Sequence, residues 1–277
     1  MHLQLQHGHI TVFESSLFRT TSTVINLEEA ILIVDPNWLP EEVQAIQDYV
    51  DEIRDEKPLY LLFTHSDYDH IIGYGAFPEA TVIASDALVK NPNKEGVLLQ
   101  IREFDQQYYL SRNYPIQYPE VQVVIRENGQ QLELGQNTLT FYLTPGHNPD
   151  GLYTILEPEG IWIAGDYLSN IEFPYIYHST ADYLEVLKLS QHLLAQTDHK
   201  IRLLIPGHGD HTTNDREIQK RIDESFHYID SLAKHLKHQT PFDLEGLWQR
   251  YAFPKGMQHF HEGNVRLMRR ELGVDQN

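Results

Sequence analysis

The apolar run Leu59-Tyr60-Leu61-Leu62-Phe63 leads directly into Thr64-His65-Ser66-Asp67-Tyr68-Asp69-His70, which places four potential metal-binding side chains within six residues. A continuous apolar run of this length reads as a strand buried on both faces. Ending such a strand in two imidazoles and two carboxylates is a strong constraint on the fold. Charges at the edge of a core are costly unless they are paired or coordinate a metal. Packing alone gives no reason for this loop.

The same device recurs three times further along. Thr144-Pro145-Gly146-His147 follows the run Leu139–Leu143, Ala164-Gly165-Asp166 follows Ile161–Ile163, and Pro206-Gly207-His208-Gly209 follows Ile201–Ile205. Each sets one ligand-capable side chain at a strand's end, beside glycine that allows close backbone approach. Taken singly, any of them is an ordinary polar group in a chain with sixteen histidines. In this order, behind so dense a first loop, they point to one shared site.

The rest of the chain supplies a frame for these loops. Ile10–Phe13, Thr23–Leu27 and Ala30–Val34 are β-rich runs separated by turn residues. Pro40, with Glu41 and Glu42 in the first turn, opens a helix expected to run towards Glu56, before Pro58. A second pass begins near Val121, with strands expected over Val121–Ile125, Leu139–Leu143, Leu152–Leu156, Ile161–Ala164 and Ile201–Ile205, and a helix over Ala181–Gln196. Two passes of strands followed by a helix suggest two sheets face to face with helices outside, a four-layer αββα sandwich of the α/β class. The expected organisation is one domain over 1–277 with two additions. Residues 88–119, rich in aromatics (Phe104, Tyr108, Tyr109, Tyr114, Tyr118), form either a covering helix or a lid over the site. From about residue 216 the tail is helical and ends in a helix over Asn264–Leu272, preceded by His259 and His261.

Composition narrows the chemistry. The chain has no cysteine, which removes disulfides, thiolate ligands and a cysteine nucleophile and leaves imidazole and carboxylate to hold any metal. Its 277 residues carry 40 Asp and Glu against 21 Lys and Arg, a formal charge of −19. That field repels polyphosphate, so nucleic acid is not an expected partner. There is no leader-like N-terminus and no apolar run long enough to span a membrane, so the expectation is a soluble cytoplasmic protein acting on a small molecule. The sequence gives no oligomeric state.

The first loop resembles the His-x-His-x-Asp-His motif of the metallo-β-lactamase superfamily, with Asp67 in place of the second His, and the later loops come in that family's order. The resemblance runs from the early hairpin to His208. It implies the αββα fold and two divalent metal ions. One would be held by His65, Asp67 and His147 and the other by Asp69, His70 and His208, with Asp166 bridging. In such pairs the metals lie about 3.5–4 Å apart. Asp35, in Val34-Asp35-Pro36, matches a family aspartate that hydrogen-bonds a ligand, although it sits in Asp-Pro-Asn rather than Asp-Thr-Gly. Tyr68 and Tyr167 adjoin these ligands, either as donors to an oxyanion or as rings packed on the sheet edge. Asn148 and Asp150 either orient substrate or build a turn.

Asp67 adds negative charge to the first site. Hard oxygen ligands shift preference from zinc towards manganese or iron, whereas the affinity order alone favours zinc. Asp67 ligates, or it points away and leaves one metal. The leading functional expectation is a hydrolase in which a metal-activated hydroxide attacks an ester, thioester, lactone, amide or phosphodiester, with Asp69 orienting the nucleophile or accepting its proton. The β-lactamases that use a Cys ligand are excluded. A second reading is a di-iron redox protein with a separate electron donor, since the flavodiiron branch likewise carries a carboxylate at this motif position. A third is a metal-stabilised binding protein without turnover.

Overall fold

The computed structural model describes residues 1–196, 200–251 and 253–274. The first sheet takes strands β1 (His2–His7), β2 (Ile10–Glu14), β3 (Thr21–Asn26) and β4 (Ile31–Val34) as an antiparallel meander. Helix α1 (Pro40–Ile53) then crosses to β5 (Leu59–Leu62). The short helix α2 (Tyr68–Ile71) precedes β6 (Thr81–Ser85), and α3 (Asp86–Val89) and α4 (Lys94–Gln107) precede β7 (Val123–Ile125). Strands β4 to β7 are parallel, giving the sheet order β1-β2-β3-β4-β5-β6-β7.

The second sheet contains β8 (Gln130–Leu134), β9 (Asn137–Leu143), β10 (Leu152–Glu157), β11 (Ile161–Ile163) and, after helix α5 (Thr180–Ala195), β12 (Leu203–Ile205). Its order is β12-β11-β10-β9-β8, antiparallel except for the β11–β12 pair. Helices α6 (Asp215–His238), α7 (Leu244–Arg250) and α8 (Pro254–Leu272) follow.

The layers follow from side-chain alternation along the strands. On β4, Leu32 and Val34 join Leu62 of β5 and Phe141, Leu156 and Ile163 of the second sheet in the core between the sheets. Ile31 and Ile33 face the other way, against Val43, Ile46 and Val50 of α1. On the far side, Trp162 and Leu204 pack against Tyr183 and Leu187 of α5 and Ile218 and Ile222 of α6. With both faces of each sheet covered, the central strands are apolar throughout, as parallel sheets generally are.

The structure amends several expectations. Val123–Ile125 pairs with β6 and so belongs to the first sheet, not to the second pass. Strands β1, β6 and β8 had no expectation: β1 is mostly exposed and β8 is mostly polar, so neither shows a clear apolar pattern. The last helix begins at Pro254 rather than near Asn264 and therefore contains His259 and His261. Proline is tolerated in the first helical turn, and Pro254 marks the start of this helix. Residues 88–119 cover the first sheet, with Val97, Leu98, Ile101 and Tyr114 buried in its outer core. The cavity over the candidate site is walled instead by residues 16–19, 171–177 and 253–260.

Candidate metal centre

The loops after β5, β9, β11 and β12 converge at one edge of the sandwich. After β5 the chain is extended at Asp67, which then caps α2, so that Asp69 and His70 sit on its first turn. At Gly207 a Cβ would overlap Oδ1 of Asp166, so the His208 loop can close on the Asp166 loop only through glycine. Gly146 has φ +132° and lies against the backbone of Tyr183, two conditions that exclude a side chain just before His147.

Each of the four histidines is fixed through Nδ1. His70 Nδ1 donates to Asp35 Oδ2 (2.9 Å), His147 Nδ1 to the carbonyl of Tyr175 (2.7 Å) and His208 Nδ1 to the carbonyl of Phe18 (2.9 Å). The hydroxyl of Thr64 donates to Asp35 Oδ2 (2.6 Å), which leaves its oxygen to accept from His65 Nδ1 at 3.0 Å. Donation at Nδ1 makes Nε2 the lone-pair nitrogen in all four rings. All four Nε2 atoms point at Asp166. His70 and His208 meet its Oδ1 at 3.1 and 3.4 Å, and His65 and His147 meet its Oδ2 at 3.6 and 3.3 Å.

Asp67 and Asp69 complete two groups on either side of Asp166. Asp67 Oδ2 lies 3.6 Å from His65 Nε2 and 3.2 Å from His147 Nε2. Asp69 Oδ2 lies 3.7 Å from His70 Nε2 and 3.5 Å from His208 Nε2. Within each group, His65, Asp67, His147 and Asp166 or Asp69, His70 and His208, the potential ligand atoms lie within 4.8 Å of one another. Ligands on a tetrahedral metal with bonds of about 2.1 Å are separated by about 3.4 Å. The eight separations above scatter around that value.

Charge balance makes the same demand. Burial and His70 both oppose protonation of His65, yet Asp166 and Asp67 outweigh them and raise its pKa to about 10. Burial also opposes protonation of His70 and His208, and again Asp166 and its neighbours push both well above the ordinary imidazole range. Burial alone would raise Asp67, but hydrogen bonds from His147 and His65 hold it far below the usual carboxylate range. Three partly buried carboxylates gathered here call for positive charge, while Nε2 of His65, Nε2 of His70 and Oδ1 of Asp166 are buried without a hydrogen-bond partner. Divalent cations fit both requirements.

The other expected residues take distinct places. Asp35 lies behind His70 and also accepts from the Thr64 N–H (3.0 Å). Asn148 donates from Nδ2 to Asp67 Oδ1, bracing that carboxylate. Asp150 is buried, accepts from the Ser66 N–H at 3.5 Å, and has its pKa raised by burial. The Tyr167 hydroxyl accepts from the His147 N–H (3.0 Å) and faces the carbonyls of Thr144 and Pro145 (3.1 and 3.0 Å), so it props the His147 loop from behind. Tyr68 lines the cavity over the cluster, its ring edge-on to Trp38.

That cavity, about 350 Å3, exposes Asp67, Asp69, Asp166 and His208 at its base. Its walls include Leu17, Phe18 and Arg19, Glu172, Tyr175 and Tyr177, and Phe253, Met257 and Phe260. None of these was singled out from the sequence. They come from three segments far apart in the chain, and no local spacing links them. Glu172 is notable because burial, opposed by His208, raises its carboxyl to about 7.

The chain belongs to the metallo-beta-lactamase superfamily, whose family profile matches residues 16–208, a span holding all seven side chains of the cluster. Solved structures share the fold at low identity. A metallo-beta-lactamase family protein from Thermus thermophilus superposes with a TM-score of 0.65 at 17% identity, over 96% of this chain and 94% of the other. The stereoselective inverting sec-alkylsulfatase Pisa1 from Pseudomonas sp. gives 0.67 at 14% identity, over 96% of this chain and 49% of its own, so this chain spans about half of that enzyme. Rubredoxin oxygen:oxidoreductase from Desulfovibrio gigas gives 0.55 at 14% identity, over 83% of this chain and 62% of the other. No curated protein matches the sequence. Among the described residues, no helix is long and apolar enough to cross a membrane.

Proposed function

We propose that the chain is a binuclear metal-dependent hydrolase. His65, Asp67 and His147 would hold one divalent ion and Asp69, His70 and His208 the other, with Asp166 available to both. One observation carries this reading: four Nε2 atoms, each with its Nδ1 fixed as a donor, divide two and two between the oxygens of one buried carboxylate. Ions held there supply Lewis acidity and an activated water. Asp69 faces the cavity, where its carboxyl can take the proton of an attacking water. Asn148 steadies Asp67, and Tyr68 stands at the wall beside the reacting bond of a bound ester, thioester, lactone, amide or phosphodiester. The carboxylate at Asp67 favours manganese or iron relative to an all-histidine site.

Elemental analysis of protein purified without chelator tests the site, with about two ions per chain expected. A panel of generic esters and a phosphodiester tests the activity. Asp67, together with the fold shared with the oxygen:oxidoreductase, supports a second reading as a di-iron redox protein. Oxygen consumption by the iron-loaded protein with an added reductant, and no hydrolysis of any panel member, would put that reading first.

A further inference from the structure

We propose that the cavity above the cluster takes the apolar part of a neutral substrate, an ester or lactone bearing an aryl or medium-length alkyl group, and that helix α8 sets the size accepted. The inference rests on the hydrolase reading for the reacting bond and on the cavity walls for the rest.

Above its base of Asp67, Asp69, Asp166 and His208, the cavity is lined chiefly by Leu17, Phe18, Tyr68, Ile171, Tyr175, Tyr177, Met257 and Phe260. Phe18, Tyr177 and Phe253, all cavity residues, are 52%, 50% and 55% exposed, which is unusual for side chains of that size. Exposed apolar surface gathered at a concave site marks a place where a ligand buries it. At about 350 Å3 the cavity lies at the small end of the range for small-molecule sites.

The charges argue against an anion. Among the described residues Arg19 is the only cationic side chain in the wall besides His208, and its guanidinium already meets Glu14 (2.8 Å) and Asp210 (2.5 Å). The remaining ionisable wall group outside the cluster and the tyrosines is the carboxyl of Glu172. A substrate carrying its own negative charge away from the reacting bond would find no unpaired partner there.

Helix α8 closes the side of the cavity with Gly256, Met257 and Phe260, and Phe260 stacks on Tyr175 at 4.1 Å between ring centroids. Gly256 is an exposed residue of the cavity lining, and a Cβ added there meets nothing within 4 Å, so a larger side chain can be placed at the cavity rim without displacing backbone. Gly256→Leu is therefore a change that crowds the rim and also suits a helix.

The test uses the metal-loaded full chain and a series of phenyl alkyl ketones of rising chain length, which carry no hydrolysable bond, with binding followed by calorimetry. Affinity should rise about fourfold per methylene until the cavity is full. Gly256→Leu, and independently Met257→Trp, should cost the longest bound ketone at least about tenfold while metal content stays unchanged. A ketone of matched length whose alkyl chain ends in a carboxylate should bind more weakly than the parent ketone. No ketone binding, or no effect of either substitution in a folded, metal-replete protein, overturns the inference, as does tighter binding of the carboxylate-tipped ketone. Ketone binding as described with no turnover of any matching ester would count against the hydrolase reading alone.

Discussion

Asn264 offers a test of how the C-terminal helix supports the centre. Buried on α8, it accepts from the Ile176 N–H at Oδ1 (2.9 Å) and donates from Nδ2 to the carbonyl of Pro174 (2.6 Å) and to Tyr228 Oη (3.0 Å). Between those two backbone groups lies Tyr175, whose carbonyl accepts from His147 Nδ1. Asn264→Leu keeps the volume but orphans the Ile176 N–H and the Pro174 carbonyl, at about 1–3 kcal/mol each. The total of about 2–6 kcal/mol is survivable for a fold of ordinary stability and should lower Tm by roughly 10 °C. If the 174–176 segment positions His147, metal affinity should fall by about tenfold, the scale seen when a ligand's hydrogen-bond partner is lost. Chelator competition measures the affinity and a thermal melt the stability. Ile46→Ala, in the outer core of the first sheet, serves as a control that costs similar stability without touching the centre. Native metal affinity in Asn264→Leu, despite the lower Tm, would refute the link.

Further outcomes are expected elsewhere in the site. Asp166→Asn keeps the shape but removes the shared charge, and metal content should fall below two per chain with at least about a hundredfold loss of any turnover. Asp67→His should raise the preference for zinc over manganese in competitive loading, and an unchanged ratio would show that Asp67 does not set it. Glu172, raised from 4.5 to about 7 by burial, holds its proton in the folded state where the unfolded chain has lost it. Stability of the metal-free protein should therefore fall as pH rises from about 4.5 through 7, by about 3 kcal/mol from this group. Melts of native and Glu172→Gln protein across that range should differ by this slope, and parallel curves would show that Glu172 is solvated.

The seven side chains of the cluster were legible in the sequence because each sits at the end of an apolar strand and is of a residue type with few uses in a core. His65, Asp67, Asp69 and His70 share one turn, and His147, Asp166 and His208 each follow a short run that can only be a buried strand. The sandwich was legible for the same reason, since strands covered on both faces stay apolar. The edge strands were not: β1 faces solvent on most positions and β8 alternates Gln and Glu with Leu, so tertiary pairing rather than pattern makes them strands. Nor was the placement of Val123–Ile125, because a three-residue strand carries no information about which sheet it joins.

The cavity wall was illegible for a different reason, and that reason bears on function. Phe18, Tyr177 and Met257 are unremarkable where they stand in the chain, and only the fold brings them over the same carboxylates. Metal coordination needs particular donor atoms at bond-length tolerance, which restricts residue type and leaves a trace in sequence. An apolar wall needs only volume and surface, which many residues supply from many places. A family can therefore keep its ligand loops while its walls change freely, and solved structures of one fold, at 14–17% identity to this chain, can include an alkylsulfatase and an oxygen:oxidoreductase. What distinguishes this chain is thus carried by two features of unlike kind. Asp67 alters the charge of the His/Asp cluster and can be read from the motif. Helix α8 alters what can approach them, and its part emerges only from packing, through Gly256, Met257 and Phe260 at the cavity and Asn264 on the segment that orients His147. Substitutions in α8 should therefore reorder substrates by the size of their apolar group, whereas changes at Asp67 should reorder metals.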